Sequence, residues 1–201
     1  GAFWPPSRVL ICPSVLQTLP EREFNNGCAE VVKYGFIMDA PLLDRIGEGL
    51  TPSHPELEAV IRRCIELKAE VVAADEFETN GKRAILNFGH TIGHAIELVL
   101  GYGLILHGEA ISIGMVAEAR LGEQMGISAP GTEQIVREVL LRHNLPVDHP
   151  VLEESDALLE AMKSDKKAQN GILAFSLLTQ IGHCNLVPGV SEDTVRRSLT
   201  P

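Results

Sequence analysis

The sequence predicts a mainly α-helical protein with a single β-hairpin. Three observations support this. Leu, Ile, Val and Ala dominate a chain that is 45% hydrophobic, and they recur mostly at helical spacing. Aromatic residues make up only 4%. One stretch, residues 171–187, reads as two strands joined by a turn, and the only other strand-like run is short and isolated. With 201 residues, 22% of them charged, the chain has the size and composition of a globular protein that buries a core.

The isolated run is Val9-Leu10-Ile11-Cys12, bounded by Pro5-Pro6 and Pro13. It reads as a short N-terminal strand that needs a sheet to join. Residues 1–20 are therefore expected to be the remnant of another domain, and residues 21–201 the helical domain. The absence of an initiator Met makes Gly1 read as a cut end. Helix is expected from Cys28 to Met38, between Gly27 and Pro41, then as a short turn from Pro41 to Ile46 closed by Gly47 and Gly49. Pro55 to Asp75 is a long amphipathic helix, with Leu57, Val60, Ile61, Cys64, Ile65 and Val71 at 3–4 spacing and Pro55 in its first turn. Phe77 to Lys82 is a polar loop turning at Asn80-Gly81. Further helices are expected at Ala84–Leu100, His107–Gly126, Thr132–His143, Glu153–Met162 and Glu192–Leu199. The hairpin runs from Ile172 to Leu178, turns at Gly182 and returns over Cys184 to Val187.

The formal net charge is −10. Such a surface repels phosphate backbones and offers no polybasic patch, so neither nucleic acid nor an anionic membrane is an expected partner. No apolar run approaches the roughly 18 residues of a spanning helix, and no signal peptide is visible. Cys12, Cys28, Cys64 and Cys184 form no CxxC pair, so they read as reduced and mostly buried, which suits a cytoplasmic location. His54, His143, His149 and His183 have no companions that suggest chemistry and read as surface residues.

Asn87-Phe88-Gly89-His90-Thr91-Ile92-Gly93-His94 carries the strongest chemical signal. On a helix His90 and His94 share a face, with Glu97 at i+7. The pair is either a two-ligand metal clamp or a pair of surface or capping histidines. Gly89 and Gly93 suggest close backbone approach by a ligand or another helix. His107 opens the next helix, either as a cap or facing His90 if that helix runs back beside the first. Glu30 and Lys33 lie at i, i+3 among Val31, Val32 and Ile37. They form either a surface ion pair or a buried one, and a buried Glu30 needs a partner or a metal. Glu30 with two histidines would make a three-ligand site with an open position. Lys68 on the long helix, the strip Arg83–Asn87–His90–His94, and the Lys163–Lys167 turn add cations, which in an acidic chain suggests a small anionic substrate.

These segments together resemble the 3-dehydroquinate synthase family. The resemblance rests on Thr18-Leu19-Pro20-Glu21-Arg22-Glu23, Gly27, Ala29-Glu30-Val31-Val32-Lys33-Tyr34-Gly35 and Lys68-Ala69 to Asp75-Glu76. It continues through Leu86 to Glu97, His107-Gly108-Glu109-Ala110 to Gly114-Met115, and Asp165-Lys166-Lys167. The match is colinear over nearly the whole chain but corresponds only to the second half of that enzyme. The family's glycine-rich nucleotide-binding motif is not in this sequence.

The resemblance implies the multi-helix C-terminal domain of a dehydroquinate-synthase-like fold. It implies NAD⁺- and metal-dependent conversion of 3-deoxy-D-arabino-heptulosonate 7-phosphate to 3-dehydroquinate and phosphate, in the shikimate pathway to aromatic amino acids. The metal, Zn²⁺ or Co²⁺, would be held by Glu30, His90 and His107. His94, Lys33, Lys68, Arg83, Asn87 and Lys166 would serve the substrate, and Val15, Leu16, Gln17 and Thr18 would touch NAD⁺. The implied partners are a sugar-phosphate substrate, a missing N-terminal NAD⁺-binding half and a second copy in a homodimer. The chain alone is expected to be inactive. The alternatives are another sugar-phosphate cyclase, a metal-dependent polyol dehydrogenase with less need of Lys33 and Lys68, or a non-catalytic helical module without a metal or pocket.

Overall fold

The computed structural model describes residues 6–75, 81–101, 103–165 and 173–200. A 3-10 turn at Pro13–Thr18 leads into α1 (Glu21–Ile37), α2 (Ala40–Ile46) and α3 (Leu57–Ala74). A second 3-10 turn at Arg83–Asn87 precedes α4 (His90–Leu100), α5 (His107–Gln124) and α6 (Thr132–Arg142). A third, at Pro150–Glu153, precedes α7 (Ser155–Asp165), and the chain closes with β1 (Leu173–Gln180), β2 (His183–Val190) and α8 (Glu192–Leu199). The mainly helical class and the single antiparallel hairpin agree with the sequence. No helix among the described residues is long and apolar enough to cross a membrane.

Four details differ from the sequence reading. Helix α1 begins at Glu21 rather than Cys28, because Pro20 sets its start and Glu21 and Glu23 complement the positive end of the helix dipole. Gly27 is carried within it. The expected Ala84–Leu100 helix is two elements, since Gly89 adopts φ +81°, a left-handed conformation that turns the chain before His90. The Val9–Cys12 segment forms no strand: with no sheet to join it stays irregular, leaving Val9 68% and Leu10 87% exposed. Finally, His143 is buried, its Nδ1 at 2.9 Å from the Val139 carbonyl, and burial lowers its affinity for a proton. Of the cysteines read as mostly buried, Cys12 is exposed, Cys28 and Cys184 are buried and Cys64 partly so; all four are free. Most of the Phe77–Lys82 loop and the whole of Lys166-Lys167 lie outside the described residues.

Helix α5 is buried almost continuously from Gly108 to Gly122, its small and apolar residues packed on both sides and Glu118 and Arg120 buried among them. Its Ile111, Met115, Val116 and Ala119 face a core shared with α1, α2, α3 and α6. Its Ala110, Ile113, Ala117 and Leu121 face a second core shared with α4, α7, β1 and α8. Near its far end Arg120 ties two neighbours together, donating to the Ser198 carbonyl at 2.9 Å and to Glu133 at 2.8 Å.

The hairpin forms a wall beside this stack. Its turn is pinned to α1, because the Gly182 N–H donates to the Phe36 carbonyl at 2.7 Å. The Ser176 hydroxyl donates to the Ala84 carbonyl, which anchors the turn that carries Arg83 and Asn87. From the other side, the buried Asp75 carboxylate accepts the Arg83 N–H at 3.1 Å.

Helices α4 and α5 touch backbone to backbone. A Cβ on Gly114 would overlap the Gly89 carbonyl, and one on Gly93 would come within 3.0 Å of the Ile111 Cα. A Cβ on Gly27 would meet nothing within 4 Å. Gly114→Ala is therefore expected to destabilise the chain by about 1–3 kcal/mol, while Gly27→Ala stabilises it by about 0.5–1 kcal/mol. Thermal denaturation checks both, at roughly 2–4 °C per kcal/mol for a protein of this size.

Candidate metal centre and anion pocket

Three helices deliver the site. Helix α1 supplies Glu30 and, one turn on, Lys33. Helix α4 opens with His90 and carries His94 and Glu97 on the same face. Helix α5 opens with His107. The pairing of α4 with α5 is antiparallel, since Gly89 lies against Met115 and Gly93 against Ile111. His107 therefore comes abreast of His94 and Glu97. The His90 ring centroid lies 5.3 Å from both the His94 and the His107 centroids.

One oxygen is the focus. Glu30 Oε1 lies 3.2 Å from His90 Nε2 and 3.6 Å from His107 Nε2. Each imidazole has its other nitrogen engaged. The Phe88 carbonyl stands 3.2 Å from His90 Nδ1, and both Glu97 oxygens stand 3.3 Å from His107 Nδ1. A carbonyl and a carboxylate only accept, so both Nδ1 atoms carry hydrogen and both Nε2 atoms are turned to the Glu30 carboxylate. Each Nε2 either donates a hydrogen to that carboxylate, as imidazolium, or offers its lone pair to a cation shared with it.

The residues fit a divalent metal. Glu30, His90 and His107 offer ligand atoms that all lie within 4.8 Å of one another, a His₂Glu donor set with an open position. Acceptors behind each imidazole are the usual support of metal-bound histidine. His94, Glu97 and His107 meet the same distance criterion. That second set spends the carboxylate which orients His107, so the Glu30 set fits better. Burial opposes ionisation of Glu30, but hydrogen bonds with His107 and His90, then the Lys33 charge, outweigh it and hold the carboxyl below the usual range. His107 is drawn upward, first by its hydrogen bond to Glu30. Burial pushes the Cys28 thiol up to about 12 and the Cys64 thiol up to about 11, so neither favours the thiolate a metal would need.

Glu30 is partly buried, and its partner Lys33 more deeply so: it is 3% exposed and holds Glu30 Oε2 at 2.6 Å. Burial lowers the proton affinity of Lys33 and the Glu30 charge opposes that. Beside the pair opens a cavity of about 610 Å³ whose walls include Lys33, Lys68, Arg83, Asn87 and His90. Arg83 and Asn87 thus reach the site from their own 3-10 turn rather than along the His90 helix. Val15, Leu16, Gln17 and Thr18 form the N-terminal 3-10 turn, and none of them lines this cavity. Lys166 lies outside the described residues. Lys163 of the same basic run is committed to Glu160 and Glu192, at 3.0 and 2.9 Å.

Several supporting residues were given no role from sequence. Arg22 forks onto Glu109 at 2.6 and 2.8 Å, and Glu109 accepts the Leu106 N–H at 2.9 Å. Asn26 Oδ1 accepts the Gly108 N–H at 2.5 Å. Glu118 is fully buried and accepts the N–H groups of Gly89 and Ile92 at 2.8 and 3.3 Å. Its one legible signal is a lone carboxylate in the small, apolar run Ala110–Ala119.

Residues 27–168 match the model of the 3-dehydroquinate synthase C-terminal family. The chain belongs to this family. It is also similar to solved structures of sugar-phosphate cyclases. One is 2-epi-5-epi-valiolone synthase from Streptomyces hygroscopicus subsp. jinggangensis 5008, solved with NAD⁺ and Zn²⁺ bound. The match there is 28% identical with a TM-score of 0.82, covering 93% of this chain and 53% of that one. Another is 2-deoxy-scyllo-inosose synthase complexed with carbaglucose-6-phosphate, NAD⁺ and Co²⁺. That match is 26% identical with a TM-score of 0.78, covering 93% of this chain and 54% of that one. The chain spans about half the length of these enzymes.

Calorimetric titration of the metal-stripped chain with Zn²⁺ is expected to show one site, absent in His90→Ala and in His107→Ala. Glu97→Gln should retain the site but weaken it about tenfold, since it loosens the support of His107.

Proposed function

We propose that this chain, a member of the 3-dehydroquinate synthase C-terminal family, is the metal- and substrate-binding half of a 3-dehydroquinate synthase. The reaction is the cyclisation of 3-deoxy-D-arabino-heptulosonate 7-phosphate with loss of phosphate, a lyase step of the shikimate pathway. The observation that carries this reading is the Glu30–His90–His107 cluster opening beside a cavity walled by Lys33, Lys68 and Arg83.

When bound, the metal supplies polarisation of a substrate hydroxyl and NAD⁺ supplies a reversible hydride acceptor. Glu30, His90 and His107 hold the metal. Lys33, Lys68 and Arg83 bind the substrate's carboxylate and phosphate and fix its orientation, with Lys166 a further contact. Asn87 hydrogen-bonds a substrate hydroxyl. His94, beside both ligand imidazoles, takes up and returns a proton on an imidazole nitrogen. Residues 1–20 belong to the NAD⁺-binding domain, with Val15, Leu16, Gln17 and Thr18 against the cofactor. Turnover then requires the other half of the enzyme, and the working form is a cytoplasmic homodimer.

A second reading is a sister cyclase, favoured by the likeness to an inosose synthase holding carbaglucose-6-phosphate. The joint presence of Lys68, Asn87 and His94 supports the dehydroquinate assignment over it. A polyol dehydrogenase has less use for Lys33 and Lys68.

Phosphate release separates these readings. With NAD⁺ and Zn²⁺, the chain alone is expected to release none from 3-deoxy-D-arabino-heptulosonate 7-phosphate. Joined to an NAD⁺-binding half it should release phosphate, with Lys68→Ala raising KM about 10–100-fold, the effect of a lost binding contact. Turnover by the isolated chain refutes the division of labour. Preference for glucose 6-phosphate in the joined protein favours the sister cyclase.

A further inference from the structure

The carboxylate of Glu118 touches neither the cavity nor the metal cluster. It sits in the middle of α5, fully buried, between Ala117 and Ala119. An ionised group there costs more than an apolar one unless it is well bonded. Two of its bonds go to one place. Oε2 accepts the Gly89 N–H at 2.8 Å and Oε1 accepts the Ile92 N–H at 3.3 Å.

That place is the start of α4. The first N–H groups of any helix have no partner within it. The residue at the start of α4 is a glycine in the left-handed conformation, with no capping side chain of its own. Glu118 supplies the cap from another helix, and its charge stands at the positive end of the α4 dipole. His90 lies between the two bonded amides and is the first residue of the helix. Its ring is held from behind by the Phe88 carbonyl, on the other side of the same turn.

We infer that Glu118 is the positioning residue of the metal centre: by capping α4 from α5 it locks the Gly89 turn and so aims His90 Nε2 at Glu30. The inference rests on the reading of His90 as a metal ligand. It assigns the buried charge a purpose that packing alone leaves without one, since an apolar side chain would fill the same space more cheaply. It also predicts a difference between Glu and its isostere. In Glu118→Gln the volume is kept, but only one terminal atom accepts, and the amide nitrogen cannot receive the second N–H.

The test uses Co²⁺ on the metal-stripped chain, because tetrahedral cobalt reports its geometry in visible absorption. The wild-type chain is expected to bind one Co²⁺ with an intense visible band. Glu118→Gln should keep its helical circular dichroism, bind Co²⁺ about 10–100-fold more weakly and show a shifted band. Equal affinity with an unchanged band overturns the inference while leaving the metal centre intact. Absence of Co²⁺ binding in the wild type overturns the metal reading and the inference with it. A second arm needs no variant. In the ¹⁵N-labelled wild-type chain, the amides of Gly89 and Ile92 should exchange with solvent at least about 100-fold more slowly than unstructured amides. Exchange of both at the free rate overturns the inference even where Glu118→Gln does not fold.

Discussion

The structure depends on one contact, the bare-backbone approach of α4 to α5. Gly89, Gly93 and Gly114 remove the three Cβ atoms that would hold the helices apart. Only at this separation can the His107 end of α5 come abreast of His94 and Glu97, and only then does a side chain as short as glutamate reach the amides that open α4. Each helical glycine costs about 1 kcal/mol against alanine. The cost is offset by α5 itself, which buries both faces and serves as the common wall of two cores. Placement of the ligands is thus a by-product of core packing, not of loops.

The third ligand obeys a similar rule. Along α1, Arg22, Asn26 and Glu30 recur every four residues on one face. Against the start of α5 they meet Glu109, Gly108 and His107 in that order. The middle contact is the tightest: Asn26 accepts the Gly108 N–H, and a Cβ on Gly108 would overlap the Asn26 carbonyl. The outer contact is a forked ion pair. Slippage of α1 by one turn would break both and carry Glu30 away from the imidazoles. The stripe therefore acts as a register for Glu30, the member of the candidate ligand set that comes from outside the α4–α5 pair.

Much of this was legible in the residues, and the exceptions have physical causes. Periodicity located the helices, because each buries a face, and it located the hairpin through its apolar runs around Gly182. Gly89 and Gly93 beside the i, i+4 histidines pointed to close approach by a ligand or another helix, and the structure places a helix there. What local pattern could not show was conformation decided by distant partners. Gly89 turning left-handed splits one expected helix into two, and the Glu118 bonds that reward the turn come from 29 residues away. The Val9–Cys12 run has strand character but pairs with no strand among the described residues, so its propensity goes unused. His143 read as a surface residue because no companion in the sequence suggested chemistry; a bond to the Val139 carbonyl accompanies its burial.

The electrostatics of the site follow from the same packing. The chain carries a formal charge of −10, yet the cavity wall sets Lys33, Lys68 and Arg83 against only two carboxylates, Glu30 and Asp75. Lys33 is the decisive member, because it is buried and bonded to Glu30 at 2.6 Å. The two cancel, so the ligand cluster is close to neutral before any metal enters. A single carboxylate balanced in this way leaves a bound dication with its charge undiminished toward the open side. A cluster with two free carboxylates would neutralise the ion and give up that field. A dication held by Glu30, His90 and His107 would present positive potential to the cavity at short range, where low dielectric makes it strong.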